Sequence, residues 1–288
     1  MGVVLSVVFA LVAAFSNALA TVLQRRAALS VPQSRGFRPG LILDLLRRPV
    51  WLAGMLAVIV AGVGQAAALA TGPMSLVQPL FVLELPLALL LASLVTGRRL
   101  PRVLWAAVAA VVGGLGLALA GAAPAGEHAE HVSAARWLWA LAAGAAAVVV
   151  LAGAGLKRPV GKARAGCLGA ATAVCYALTA ALMKDAMRVL DTGGPAAFLT
   201  AWQTYAFAAA GVGAVLLLEH AMQGGPLVAS QPALTLGDAT VSLLLGALLY
   251  REQLRAGWWL VPQALGVALV VAGVLTLARR GIDLRTGR

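Results

Sequence analysis

The stretch GPMSLVQPLFVLELP, Gly72 to Pro86, sets a carboxylate, Glu84, in the middle of an apolar run. A second stretch, GPLVASQPALTLGDATV from Gly225 to Val241, repeats Gly-Pro and Gln-Pro at the same spacing and carries its own acid, Asp238. Gly72, Pro73, Gln78 and Pro79 align with Gly225, Pro226, Gln231 and Pro232. A one-residue slip then sets Glu84 against Asp238 and Leu100 against Leu254. The chain reads as a duplication with one acid in each half.

Around these stretches the composition dictates the class. With 61% hydrophobic residues, 11% charged residues and a mean hydropathy of +0.93, the chain has too little polar surface for a soluble globule. A membrane-crossing helix needs about 20 apolar residues. Segments at roughly 3–24, 50–70, 74–96, 103–122, 137–156, 166–187, 197–218, 227–249 and 257–278 qualify. The expectation is an all-α integral membrane protein of about nine transmembrane helices, with the lipid bilayer as its partner.

The net charge of +12 does not point to nucleic acid, because the arginines sit between the apolar segments and not in one patch. Alternate connections carry 17 and 5 basic residues. The positive-inside rule then places the N-terminus outside and the C-terminus in the cytoplasm of a multi-pass protein of the cell membrane. The first segment resembles a signal peptide only superficially, since its positive charges follow the apolar run instead of preceding it.

The repeats begin at the first and sixth segments. Five crossings bring the second copy in from the opposite face, so the halves, 1–158 with five helices and 159–288 with four, are expected to be inverted repeats. Secondary transporters use that arrangement to alternate access around a midplane site. An offset of 159 residues places Tyr176 opposite Asn17 in the two leading helices.

The candidate site follows from physics. Pro79 and Pro232 lack an N–H, which in a helix frees the carbonyls of Ser75 and Val228 four residues back. Inside a bilayer those oxygens are tolerated only against protein or a wet cavity, and helices interrupted at matching positions of two halves point to a binding site. Pro86 would free the carbonyl of Val82 close to Glu84. The midpoints of the third and eighth segments fall at residues 85 and 238, beside the two acids. A charged side chain there costs on the order of 3 kcal/mol, so each acid is expected to face protein or water.

Two acids argue for a cation, whether a metal, an organic amine or a driving proton. The amide oxygens of Gln78 and Gln231 could complete an oxygen-rich site for a hard divalent ion. A mainly apolar cavity would instead suit a lipophilic metabolite or drug exchanged for protons. A purely structural alternative has both acids hydrogen-bonded to Asn17, Gln65 or backbone.

Other polar residues carry less. His128 and His131, in Glu127-His-Ala-Glu-His, have a spacing that fits a metal pair on a helix, but no further ligand lies nearby in sequence. Gln203, Tyr205 and Gln263 fit interhelical hydrogen bonding. The small-residue runs at Ala61 to Gln65 and Ala210 to Ala214 fit close helix packing. Cys167 and Cys175 are too far apart along one helix for a disulfide. No motif for a cofactor appears. Two midplane acids also evoke an intramembrane aspartyl protease, yet one acid is Glu84, and Thr235 stands where that chemistry would have a glycine. A transporter, not an enzyme, is the expectation.

With these residues in place, the chain resembles the drug/metabolite transporter superfamily, whose larger members are built from two inverted EamA-like units. ATGPMSLVQPL, Ala70 to Leu80, is most similar to the nine-helix NIPA-like branch. The resemblance implies a secondary transporter of a small metabolite, drug or cation, with magnesium or another divalent ion as the NIPA-like alternative. It departs from the family pattern where Gly97-Arg98-Arg99 follows the third helix without the usual acid, which only Arg251-Glu252-Gln253 retains.

Overall fold

The computed structural model describes residues 2–29, 48–97, 99–123 and 132–281. The basic connection over 30–47 and the pair His128 and His131 lie outside the described residues. Among those residues nine helices are long and apolar enough to cross a membrane. They are α1 (Gly2–Leu29), α2 (Pro49–Thr71), α3, α4 (Arg102–Ala122), α5 (Ala134–Leu156), α6 (Lys162–Thr200), α7 (Trp202–Gln223), α8 (Leu227–Tyr250) and α9 (Leu260–Gly281).

The third helix is the interrupted one. α3a (Met74–Leu80) carries Pro79, a single 3-10 turn follows at Phe81–Leu83, and α3b (Glu84–Thr96) starts on the acid itself. The missing N–H of Pro79 loosens the helix just where Glu84 must be aimed. The expected match in the second half is not met: Pro232 sits inside α8, which runs unbroken from Leu227 to Tyr250. Pro86 also breaks nothing, because it falls in the first turn of α3b, where its absent N–H has no helical partner to lose.

α6 is longer than its sequence suggests. The polar residues after 187 read as a connection, but helix continues from Lys162 to a kink at Gly194, beyond which a short helical stretch ends at Thr200. At about 1.5 Å per residue it exceeds the ~30 Å hydrocarbon layer, so its far end stands clear of the apolar zone. The turn into the next helix comes at Gly194, whose φ of 72° is open to glycine and whose successor, Pro195, forbids a helical predecessor.

The connections sort into two ends of the bundle. At one, the N–H of Arg255 donates to the carbonyl of Ala122, and Gly2 lies against the carbonyl of Thr71. At the other, the N–H of Gly161 donates to the carbonyl of Gly224, and Gly54 packs on Gln24. These are called the Gly72 end and the Gly225 end below.

α1 packs along α2, α6 along both α7 and α8, α5 along α6, and α4 along α9. The α4–α9 crossing is the tightest. A β-carbon on Gly114 would stand 2.7 Å from the Gly266 carbonyl, and one on Gly266 would stand 2.5 Å from the Gly114 carbonyl. Small residues of this kind let helix backbones touch where lipid provides no hydrophobic drive for association. Gly64, in the first small-residue run, packs against Ala13 of α1 in the same manner, whereas Gly62 beside it meets nothing within 4 Å.

A candidate substrate chamber between the two acids

α3 and α8 pack against each other, and a cavity of about 530 Å³ opens beside them. Both acids line it, Glu84 from the first turn of α3b and Asp238 from the middle of α8. Asn17 of α1 donates from Nδ2 to Glu84 Oε2 at 2.7 Å, which fixes one carboxylate oxygen and leaves Oε1 for another partner. Asp238 Oδ1 accepts a long bond, 3.4 Å, from the hydroxyl of Ser242 one turn on.

The candidate residues Gln78, Gln231, Asn17 and Tyr176 line the same cavity, and so does Gln65, which the sequence suggested only as a structural hydrogen-bond partner. Gln78 is 2% exposed, and its Nε2 has no hydrogen-bond partner among the described residues. A buried amide donor left unmade costs roughly 1–3 kcal/mol. The remaining wall is mostly apolar, from Phe81, Leu85, Leu89, Met183, Leu234 and Leu277, with hydroxyls from Thr21, Thr179 and Thr235. No lysine, arginine or histidine is among the described residues that line it.

Among the described residues, the protein beyond the lining is buried towards the Gly72 end, and the lining reaches exposed residues towards the Gly225 end. Towards the Gly72 end its last lining residues are Gln78 and Met183, beyond which Ser75 and Lys184 are buried. Towards the Gly225 end it is lined by Thr21 and Met222, both exposed and near the ends of their helices.

Several polar residues raised by the sequence lie elsewhere. Gln203 donates to Asp185 at 3.1 Å, the Tyr205 hydroxyl donates to the Leu199 carbonyl, and Gln263 donates to the carbonyls of Gly121 and Arg255. These are interhelical or local bonds outside the chamber. Pro86 lines a separate apolar groove with Leu11, Phe15 and Val112.

One constellation was not foreseen. Glu252, just past α8, is buried and accepts from the backbone N–H groups of Met74 (2.6 Å) and Ser75 (2.8 Å) at the start of α3a. Lys184 of α6, 3.7 Å from Glu252 Oε1, donates to the carbonyls of Gly72 (2.6 Å) and Leu69 (3.4 Å). Beside it Asp185 accepts from Trp137 Nε1 at 3.0 Å, and the Tyr250 hydroxyl donates to the Ala181 carbonyl at 2.6 Å. The available signal was local: an acid directly after a helix C-terminus opposes the helix dipole and so needs a partner elsewhere.

The nine apolar helices and the polar chamber among them define a multi-pass membrane protein. The chain belongs to the same family as an uncharacterized protein of Corynebacterium glutamicum, to which it is 30% identical over 280 residues, 95% of this chain and 94% of that relative. No family model matches the chain. No solved structure matches it.

Proposed function

We propose that this protein is a secondary transporter of the drug/metabolite type that moves a cationic small molecule across the cell membrane in exchange for protons. The observation that carries the reading is the chamber itself, where Glu84 and Asp238 face one cavity that has no basic side chain among its described lining residues and whose lining reaches exposed residues towards one end of the bundle. Two carboxylates without a countercharge disfavour an anion and attract a cation. A volume of about 530 Å³ falls in the range typical of sites for organic ligands, and the apolar wall matches a lipophilic body carrying an amine. Proton and substrate compete for the same pair of carboxylates, so release of one accompanies binding of the other.

In this reading the halves 1–158 and 159–288 are inverted repeats that rock around the acids. The 17 to 5 division of basic residues supports a cytoplasmic Gly225 end, the end at which the chamber lining is exposed. A second reading, transport of magnesium or another divalent ion, draws on the same oxygens: Glu84, Asp238, Gln78 and Gln231 share one wall, and a hydrated ion would fill part of the space.

Reconstitution in liposomes with an imposed pH gradient, followed by a panel of organic cations, divalent ions and amino acids, tests both. Uptake of an organic cation driven by the gradient supports the first reading, and divalent uptake alone supports the second. Gradient-independent silence towards every cation would refute both.

A further inference from the structure

We propose, resting on the transporter reading, that Lys184 and Glu252 form the gate that seals the chamber at the Gly72 end, and that their parting opens it to that side. The pair sits one step beyond the chamber along the helices that line it. Gln78 and Met183 face the cavity; Ser75, one turn before Gln78 on α3a, and Lys184, directly after Met183 on α6, belong to the seal.

Four elements meet there through charge-assisted bonds. The Glu252 carboxylate spans from the end of α8 to the first N–H groups of α3a, 178 and 177 residues away in sequence. The Lys184 ammonium reaches from α6 to the last carbonyls of α2 at Leu69 and Gly72. Each charge answers a helix terminus of opposite sign, the carboxylate an N-terminus and the ammonium a C-terminus. Side-chain exposure is 2% for Lys184 and zero for Glu252.

Burial of this order makes the pair a switch and not a simple brace. Two charges taken from water add little net stability over apolar packing, but separating them without solvent is strongly unfavourable. The closed arrangement is therefore bistable: it holds while dry and yields only when α3a and α8 move far enough for water to enter. No equivalent acid is available after the third helix, since the sequence has none between Glu84 and Glu127. At the Gly225 end, Gly161 and Gly224 meet through a backbone bond. That asymmetry fits a chamber sealed at one end and open at the other.

The test uses a cysteine at Thr179, which lines the chamber on α6, in a chain with Cys167 and Cys175 replaced by alanine. The side is defined by the reaction of a separate Gln253→Cys reporter with an impermeant maleimide, so no prior orientation is needed. Two variants disturb the gate differently. Lys184→Met removes the charge. Gly246→Ala keeps both charges but places a methyl 2.5 Å from Glu252 Oε2, pushing the carboxylate off Ser75.

With the native pair, Thr179→Cys reacts slowly from the Gln253 side, and either variant should raise that rate about tenfold, the response to ~1.4 kcal/mol lost from the closed state. Reaction from the opposite side and a monodisperse elution profile establish that a variant is folded. A rate within about twofold of the native gate in the folded Gly246→Ala protein overturns the proposal, as does equal labelling from both sides with the native pair. The readout needs no substrate, so a failed gate with intact cation uptake is distinct from a failed transporter reading.

Discussion

Asn17 on α1 holds Glu84 on α3b through a 2.7 Å bond from Nδ2 to Oε2 that spans 67 residues of sequence. The interrupted helix would otherwise leave this carboxylate free to swing, because its residue is the first of α3b after a 3-10 turn. Asn17 is thus a positioning residue for the acid. A hydrogen bond to a charged group contributes about 1.5–3 kcal/mol. Asn17→Ala should accordingly raise the apparent KM for a cationic substrate at least about tenfold with little loss of thermal stability, measured by concentration-dependent uptake in liposomes and by unfolding in detergent. An unchanged KM would show that Glu84 is aimed by other means.

The α4–α9 crossing offers a stability test with an internal control. Gly266→Val introduces atoms where the Gly114 carbonyl and the Ala118 nitrogen each stand 2.5 Å from a β-carbon. Overpacking of this kind costs roughly 1–3 kcal/mol or more, so the unfolding midpoint in detergent should fall by several degrees. Gly113→Val, on α4 beside Gly114 but with nothing within 4 Å, should leave the midpoint near its native value. Equal effects of the two would mean that helix propensity, not contact, sets the response.

Orientation is tested with single cysteines at Arg158 and Gln253, exposed residues at opposite ends of the bundle, in the background lacking Cys167 and Cys175. The charge asymmetry predicts that an impermeant thiol reagent on intact cells labels position 253 and spares 158. The reverse pattern would invert the protein and place the open chamber outside.

That Glu84 and Asp238 would share surroundings was legible in the sequence because their pattern is repeated, an acid at the middle of the third and eighth apolar segments with Gln-Pro ahead of it, and both line one cavity. Helix boundaries followed from the same apolar lengths, and the observed α2, α4 and α8 begin and end within a residue or two of expectation. Two things escaped for physical reasons. Counting charge along connections treats Lys184, Asp185 and Glu252 as solvated, whereas α6 continues as helix past Lys184 and Asp185 and turns them against Tyr250 and Trp137, and Glu252 folds inward onto the start of α3a. The acid after the α8 C-terminus signals locally that a partner is needed, but which residue that is, 178 positions away, has no local signature. The expectation of two broken helices failed at Pro232 because proline removes one hydrogen bond but does not oblige a helix to change direction when its neighbours hold it.

The most direct test of the central claim is proton-coupled uptake by Glu84→Gln and Asp238→Asn, each reconstituted in liposomes beside the native protein. Both substitutions keep shape and hydrogen-bonding capacity while removing the ability to exchange a proton for a cation. Each should insert and elute as the native protein does, and each should lose gradient-driven uptake and the dependence of flux on pH. Native flux with an unchanged pH profile in both variants would contradict the assignment of these two carboxylates as the transport site.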